Sequence, residues 1–220
     1  MSFDTWNVSG LILEGISGTG KTEILRAILQ SERYRSRSGF SSYIMSEHQT
    51  QRVLEKKDRE GGLSVRDNLS LLEEHLENIS RLKSRLDAME WCRKNQTAMR
   101  IPYILERFHF THVYQYDHMS WKDVVPIDGK LLDLNCRAVV LTAERDKLAD
   151  RILSGRDAMW MNYIKGFGDS DEKIIDHFER QQEELKELAE QSDLDIRFFD
   201  TGLNPPEQTA GEILDFWGAF

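Results

Sequence analysis

Cysteine is nearly missing from this chain. Cys92 and Cys136 are the only two in 220 residues, and they belong to no CxxC or Cys/His spacing. That rules out a disulfide framework or a thiolate metal site, and the expectation is two reduced, buried thiols in an intracellular protein. No stretch approaches the roughly 18 consecutive apolar residues of a membrane span. The opening MSFDTWNVSG lacks the basic and apolar regions of a signal peptide. Positive charge is in deficit: 29 Lys and Arg against 38 Asp and Glu give a net charge of −9. An acidic chain of this kind is not expected to take nucleic acid or a membrane surface as its main partner, although a cleft can still gather cations locally. Repeats, low-complexity runs and Gly/Pro-rich linkers are absent too, so a single domain over residues 1–220 is expected.

What is present alternates. Apolar runs at Val8–Leu13, 41–46 (SSYIMS), 102–108 (PYILERF), 137–143 (RAVVLTA) and 195–200 (DIRFFD) read as five strands. Helical patterns stand between them: 21–31, a long stripe of apolar residues from Val65 to Met89, 144–153, about 171–191, and 207–218 behind Pro205 and Pro206. Ser170 suits the N-cap of the fourth of these. RYRSRSGF, with Arg33, Arg35 and Arg37, reads as a solvated flexible connection, and 154–170 as irregular. Short strands separated by helices imply an α/β fold with a parallel sheet, right-handed crossovers and helices on both faces.

Four of the 14 glycines fall between residues 10 and 20, directly around the first strand. Within them Gly15-Ile16-Ser17-Gly18-Thr19-Gly20-Lys21-Thr22 fits G-x-x-x-x-G-K-[ST], with a strand before it and a helix after it. Such a loop turns successive amide N–H groups inward around a phosphate, aided by the positive end of the following helix. Lys21 would bring charge to the β- and γ-phosphates, and the Thr22 hydroxyl can ligate Mg²⁺. The loop alone implies a nucleoside triphosphate and does not name a reaction.

Two further strand ends carry charge, and in parallel sheets the ligand crevice lies beyond the carboxyl ends of the strands. The second strand runs into Glu47 and the third into Glu106-Arg107. A carboxylate there can accept a proton from an attacking hydroxyl or hold Mg²⁺, and an arginine can clamp a transferring phosphoryl group. His109, His112 and His118 lie close together, but no Cys or carboxylate at ligand spacing joins them, so packing is the expectation. Trp160, Met161, Tyr163 and Phe167 read equally as core or as an acceptor-pocket wall.

ILEGISGTGKT, then LERF-HFT-HVYQ, then RAVVLTAERDKLADRILSGRD, in this order, resembles the thymidylate kinase and deoxynucleoside kinase branch of the P-loop kinases over nearly the whole chain. Glu14-Gly15 matches the family's opening to the phosphate loop. Glu106-Arg107-Phe108 matches its motif after the third strand, and Thr111 and Tyr114-Gln115 resemble residues that follow it in thymidylate kinases. The resemblance implies a three-layer P-loop NTPase fold with strand order 2-3-1-4-5. It also implies an arginine-bearing lid, about 151–170, in which Arg151 and Arg156 would neutralise charge on the transferred group. FDTGLN (199–204) falls where the family contacts adenine, with no specific side-chain signal.

Two departures bear on the acceptor. After the second strand the chain reads SEHQTQR, without the proline and glycine that accompany an acceptor monophosphate in thymidylate kinases, and Glu47 stands where deoxynucleoside kinases place a base. The expectation is therefore a Mg-ATP-dependent kinase of a small hydroxylated, nucleoside-like acceptor. Lys21, Glu47, Glu106, Arg107, Arg151 and Arg156 would act on the transfer, the loop 15–22 would hold ATP, and Thr22 and Glu106 would hold Mg²⁺. A nucleoside monophosphate kinase, with Arg52 or Arg66 on the acceptor phosphate, is the rival within the family. A slowly hydrolysing nucleotide switch is the rival outside it, although the chain has no NKxD-type guanine motif. A cytoplasmic location is expected, and a homodimer through the long 65–90 helix is an open possibility.

Overall fold

The computed structural model describes residues 8–37, 42–90 and 101–219. Cys92 and the start of the second expected strand lie outside these residues. Five strands, β1 (Val8–Glu14), β2 (Tyr43–Met45), β3 (Ile101–Glu106), β4 (Cys136–Thr142) and β5 (Asp195–Asp200), form one sheet in the order β2-β3-β1-β4-β5. Every neighbouring pair is parallel. The order and direction are those expected, and each strand lies within two residues of its sequence reading.

The alternation of side chains explains the layers. Leu11 and Leu13 of β1, Ile104 of β3, and Val139 and Leu141 of β4 face one side, where α1 (Lys21–Gln30) and α11 (Pro206–Trp217) cover them. Ile12, Tyr103, Leu105, Ala138 and Val140 face the other. There the cover comes from α5 (Val65–Ala88), α6 (His109–Gln115), α7 (Trp121–Asp133) and α10 (Asp171–Ala189). Strands buried on both faces need near-continuous apolar sequence, which is what β1 and β4 show. Each fully buried Leu or Ile contributes roughly 1.5–3 kcal/mol relative to exposure. The apolar stripe of α5 is spent on this core through Leu72, Leu76, Ile79 and Leu86, while Met89 beyond its end is exposed. No helix among the described residues is long and apolar enough to cross a membrane.

Two sequence readings are corrected. The connection read as flexible is helical over α2 (Glu32–Arg37), because the Ser31 hydroxyl accepts from the Tyr34 amide at 3.2 Å and Tyr34 is buried against Trp217. The segment 154–170 is not wholly irregular, since Ala158–Ile164 forms α9. Its N-cap is Asp157, which accepts from the Trp160 amide at 2.8 Å, and its aromatic face packs on Phe178 of α10. Among the described residues the remaining helices are α3 (Glu47–Thr50), α4 (Glu55–Arg59), α8 (Arg145–Leu153) and a 3₁₀ turn over Arg52–Leu54.

The four clustered glycines divide into two groups with different causes. Gly15, Gly18 and Gly20 have positive φ and shape the loop after β1. Gly10 lies inside β1, where an added Cβ would stand 2.1 Å from the Tyr103 ring. The tyrosine crosses over the glycine and donates its hydroxyl to the Leu134 carbonyl at 3.1 Å. Gly10→Ala is therefore expected to cost about 1–3 kcal/mol or more through forced displacement of a buried ring. Urea unfolding would read the loss as a lower midpoint, and Tyr103→Leu in the same chain should recover part of it.

Candidate active site

The site begins with a carboxylate that no solvent reaches. Glu14, the last residue of β1, is fully buried. One of its oxygens accepts from the Phe108 amide at 2.6 Å, and the other from the Thr111 hydroxyl at 2.7 Å. The Thr111 amide also points at it, at 3.4 Å. Glu14 thus does for α6 what an N-cap side chain does from within a helix, satisfying first-turn donors with a negative charge at the positive end. Arg107, pinned between this cap and a 3.1 Å bond from its own amide to the Leu13 carbonyl, adopts φ 52°. A non-glycine residue in that region costs on the order of 1 kcal/mol, and here the surrounding bonds hold it there.

That backbone turn aims the Arg107 guanidinium across the mouth of the loop. Its Nη2 donates to the Ser17 hydroxyl at 3.2 Å. Its Nε lies 3.0 Å from Glu47 Oε2 but off the N–H axis, so the contact is an ion pair without a hydrogen bond. Glu47 opens α3, and its amide donates to Glu106 Oε2 at 3.3 Å. Burial would raise the pKa of Glu47, but Arg107, Lys21 and Arg52 outweigh burial and hold it below the usual carboxylate range. Arg52 lies 3.5 Å from Glu47 and donates to Glu55 at 2.7 Å, and Arg66 stands exposed in the first turn of α5.

Lys21 is buried, and its ammonium group donates back to the Gly15 and Ile16 carbonyls at 2.6 and 3.0 Å. Burial, reinforced by Arg107 and opposed by Glu47, Glu106 and Glu14, lowers its pKa to about 7. A desolvated lysine beside an arginine, in a loop of turned-in amides, fits an anion with several charges. The Thr22 hydroxyl, exposed in the first turn of α1, and the Glu106 carboxylate are hard oxygen donors of the kind Mg²⁺ takes, with water and phosphate oxygens supplying the rest. Among the described residues no group of three or more His, Cys, Asp or Glu is placed to hold a metal. The three neighbouring histidines are engaged elsewhere. His109 bonds Asp128 at 3.0 Å, His118 bonds the Asn68 amide at 2.9 Å, and His112 lies 2.8 Å from the Thr50 carbonyl.

A cavity of about 640 Å³ gathers these groups. Ser17, Gly18, Gly20, Lys21, Thr22, Glu47, Glu106, Arg107, Arg151 and Arg156 all line it. Gly15, Ile16 and Thr19 lie behind its wall; the Ile16 side chain is buried, and the Thr19 hydroxyl donates to the Ile16 carbonyl at 2.8 Å. The two lid candidates differ. Arg151 is bound at both ends of its guanidinium, to Thr201 and to the Gly18 carbonyl. Arg156 is exposed, donates to the Arg151 carbonyl at 2.7 Å, and lies over the Trp160 ring at 5.0 Å. Trp160 lines the cavity as well as packing on Phe178, and Thr201 lines it although sequence reasoning assigned its side chain no role. A threonine straight after the last strand was visible in FDTGLN, but nothing in the order of residues names its partners across the sheet.

Comparison with solved structures agrees with this architecture. The chain is similar to the YorR protein of Bacillus subtilis in complex with phosphorylated GDP, at 14% identity over 94% of each chain with a TM-score of 0.53. It is also similar to the shikimate kinase of Bacteroides thetaiotaomicron, at 12% identity over 96% of this chain and 98% of that one, with a TM-score of 0.50. The fold is that of the P-loop NTPase kinases. No family model and no curated protein matches the sequence. At these identities the likeness carries the P-loop kinase fold and no more.

The state of Lys21 can be read without any ligand. In the unfolded chain a lysine takes its proton near pH 10.5, and in this fold near 7. Between those values the unfolded chain holds the extra proton, so stability falls as pH drops from about 10 to 7 and levels off below. The group contributes a slope of up to about 1.4 kcal/mol per pH unit. Lys21→Met should remove that slope from denaturation midpoints measured across the range. Identical pH profiles for the two proteins would show that Lys21 keeps its charge in the fold.

Proposed function

We propose that this chain is a Mg-ATP-dependent phosphotransferase that moves the γ-phosphoryl group to a hydroxyl of a small, nucleoside-like acceptor. The observation that carries the reading is the convergence of Lys21, Glu47, Glu106 and Arg107 on one cavity, from three segments of the chain. Phosphoryl transfer asks a protein chiefly for positioning and for charge where charge develops, and this set supplies both.

The residues divide the work. The inward amides of the loop and the Lys21 ammonium bind the polyphosphate, and the lysine leaves its own carbonyls to do so. Thr22 and Glu106 would hold Mg²⁺, which would supply positive charge against the phosphates. Glu47, kept ionised by the cations around it, accepts the proton of the acceptor hydroxyl. Its amide contact with Glu106 fixes the separation between base and metal-holding carboxylate. Arg107, anchored on Ser17 and paired with Glu47, spans donor and acceptor sides and stabilises the moving group, with Arg156 reaching it from the lid. Trp160 of α9 brings an aromatic ring to the same cavity, which suits an acceptor that carries a ring.

One observation favours a hydroxyl over a monophosphate as acceptor. The arginines on the Glu47 side are already paired, Arg107 with Glu47 and Arg52 with Glu55 and Glu47. An acceptor phosphate would have to displace carboxylates that sit where a base is needed.

ADP release from Mg-ATP, measured against a panel of nucleosides, nucleoside monophosphates and other hydroxylated compounds, tests the reading. Turnover that requires an acceptor and is lost in Lys21→Ala is expected. Glu47→Gln should lower kcat by about 10²–10⁴ with nucleotide affinity retained. Equal slow ADP release with every acceptor and with none would replace the kinase by a hydrolysing switch. Activity confined to monophosphates would move the acceptor role to Arg52 or Arg66.

A further inference from the structure

The inward amides of a phosphate loop require outward carbonyls. A trans peptide is planar, so each N–H points opposite to the carbonyl of the same unit, and no cis peptide occurs among the described residues. The amide of Gly20 can face the cavity only while the carbonyl of Thr19 faces away from it. That carbonyl has a partner from another part of the chain. The Thr201 hydroxyl, just beyond β5, lies 2.9 Å from the Thr19 carbonyl. The same hydroxyl accepts from Arg151 Nη1 at 2.8 Å, and Arg151 Nη1 reaches the Gly18 carbonyl at 3.2 Å. Arg151 Nη2 donates to the Thr201 carbonyl at 2.9 Å, and the Thr201 amide donates to the Thr142 carbonyl of β4 at 2.9 Å. Thr201 is buried and Arg151 partly so, which limits the competition from water for these bonds.

We propose that Thr201 and Arg151 form one latch that sets the peptide planes of the phosphate loop. They are positioning residues for the nucleotide's phosphates, with Arg151 spent on the loop and Arg156 left for the transferred group. The inference rests on the nucleotide-binding part of the proposed function and changes the role of Arg151 within it. Both carbonyls of the glycine-flanked turn, Gly18 and Thr19, are gripped from outside, while both flanking glycines take φ values, 88° and 78°, that leave the turn no intrinsic preference for this shape. A loop so permissive keeps its amides aligned only if something else fixes them.

Titration calorimetry of Mg-ADP and of inorganic tripolyphosphate is the deciding measurement, on wild type, Thr201→Val, Thr201→Ser and Arg151→Lys. Thr201→Val keeps the shape and removes the hydroxyl, and is expected to weaken both ligands by about three- to tenfold, the worth of one buried hydrogen bond. Thr201→Ser should stay within about twofold of wild type. Arg151→Lys keeps the charge but loses the planar fork whose two nitrogens reach the Gly18 carbonyl, the Thr201 hydroxyl and the Thr201 carbonyl together, and should match Thr201→Val. The double variant should be no weaker than either single, because the pair acts as a unit. With acceptor present, KM for ATP should rise while KM for the acceptor stays unchanged. Wild-type affinity in Thr201→Val and Arg151→Lys would overturn the latch and leave the kinase reading standing. A serine variant as weak as the valine variant would also overturn it, by pointing to packing of the methyl group. A wild type that binds neither ligand would overturn the nucleotide reading and the latch together.

Discussion

The buried Glu14 carboxylate is the contact on which the site depends. It sits at the end of the central strand, with no water to hydrate it, and exists as an acceptor because three donors from the β3–α6 junction converge on it. Take the carboxylate away and α6 loses its cap, the chain after Glu106 loses the reason for its left-handed turn, and Arg107 loses its direction. The same residue precedes the phosphate loop, so one side chain sets the separation between the loop and the arginine across from it. Few side chains are placed to transmit the geometry of a sheet to two functional segments at once.

Around that anchor the charges are arranged in opposition. Lys21 and Arg107 are like charges in a buried space, tolerable only because Glu47, Glu106 and Glu14 surround them. The acidic whole and the cationic cleft are therefore consistent: a net charge of −9 describes the surface, while the field at the loop is made by a few buried groups. Each carboxylate has a different partner set. Glu14 meets backbone and hydroxyl donors, Glu106 meets an amide, and Glu47 meets arginines. Three acidic residues within one site are thus suited to three different tasks.

Much of this was legible in the residues. The sheet order followed from the resemblance, and the strands from apolar runs short enough to be neither helix nor span. The glycine motif located the loop because its flanks agreed with it, and Glu47, Glu106 and Arg107 were found by asking which charges end parallel strands. What escaped had a common cause. Helix α9 was hidden because its stability comes from aromatic contacts with a helix later in the chain rather than from its own periodicity. The role of Gly10 needed knowledge of which ring lay beside it. Thr201 and Arg151 are separated along the chain and meet only because parallel β4 and β5 end side by side in the sheet. Local pattern reveals the residues that touch the solvent side of a site more readily than those that hold it from behind.

Lys21 resting on the carbonyls of its own loop gives the site a threshold. An incoming anion does not fill a bare positive charge; it must replace two oxygen acceptors that the lysine already has. A singly charged ion offers little more than those carbonyls and pays to enter a desolvated space. A chain of linked phosphates offers several oxygens at once and can satisfy loop amides and lysine together. Selectivity for polyphosphate over the chloride and simple phosphate that surround any protein would then come from an exchange reaction, in which the loop is its own weakest competitor.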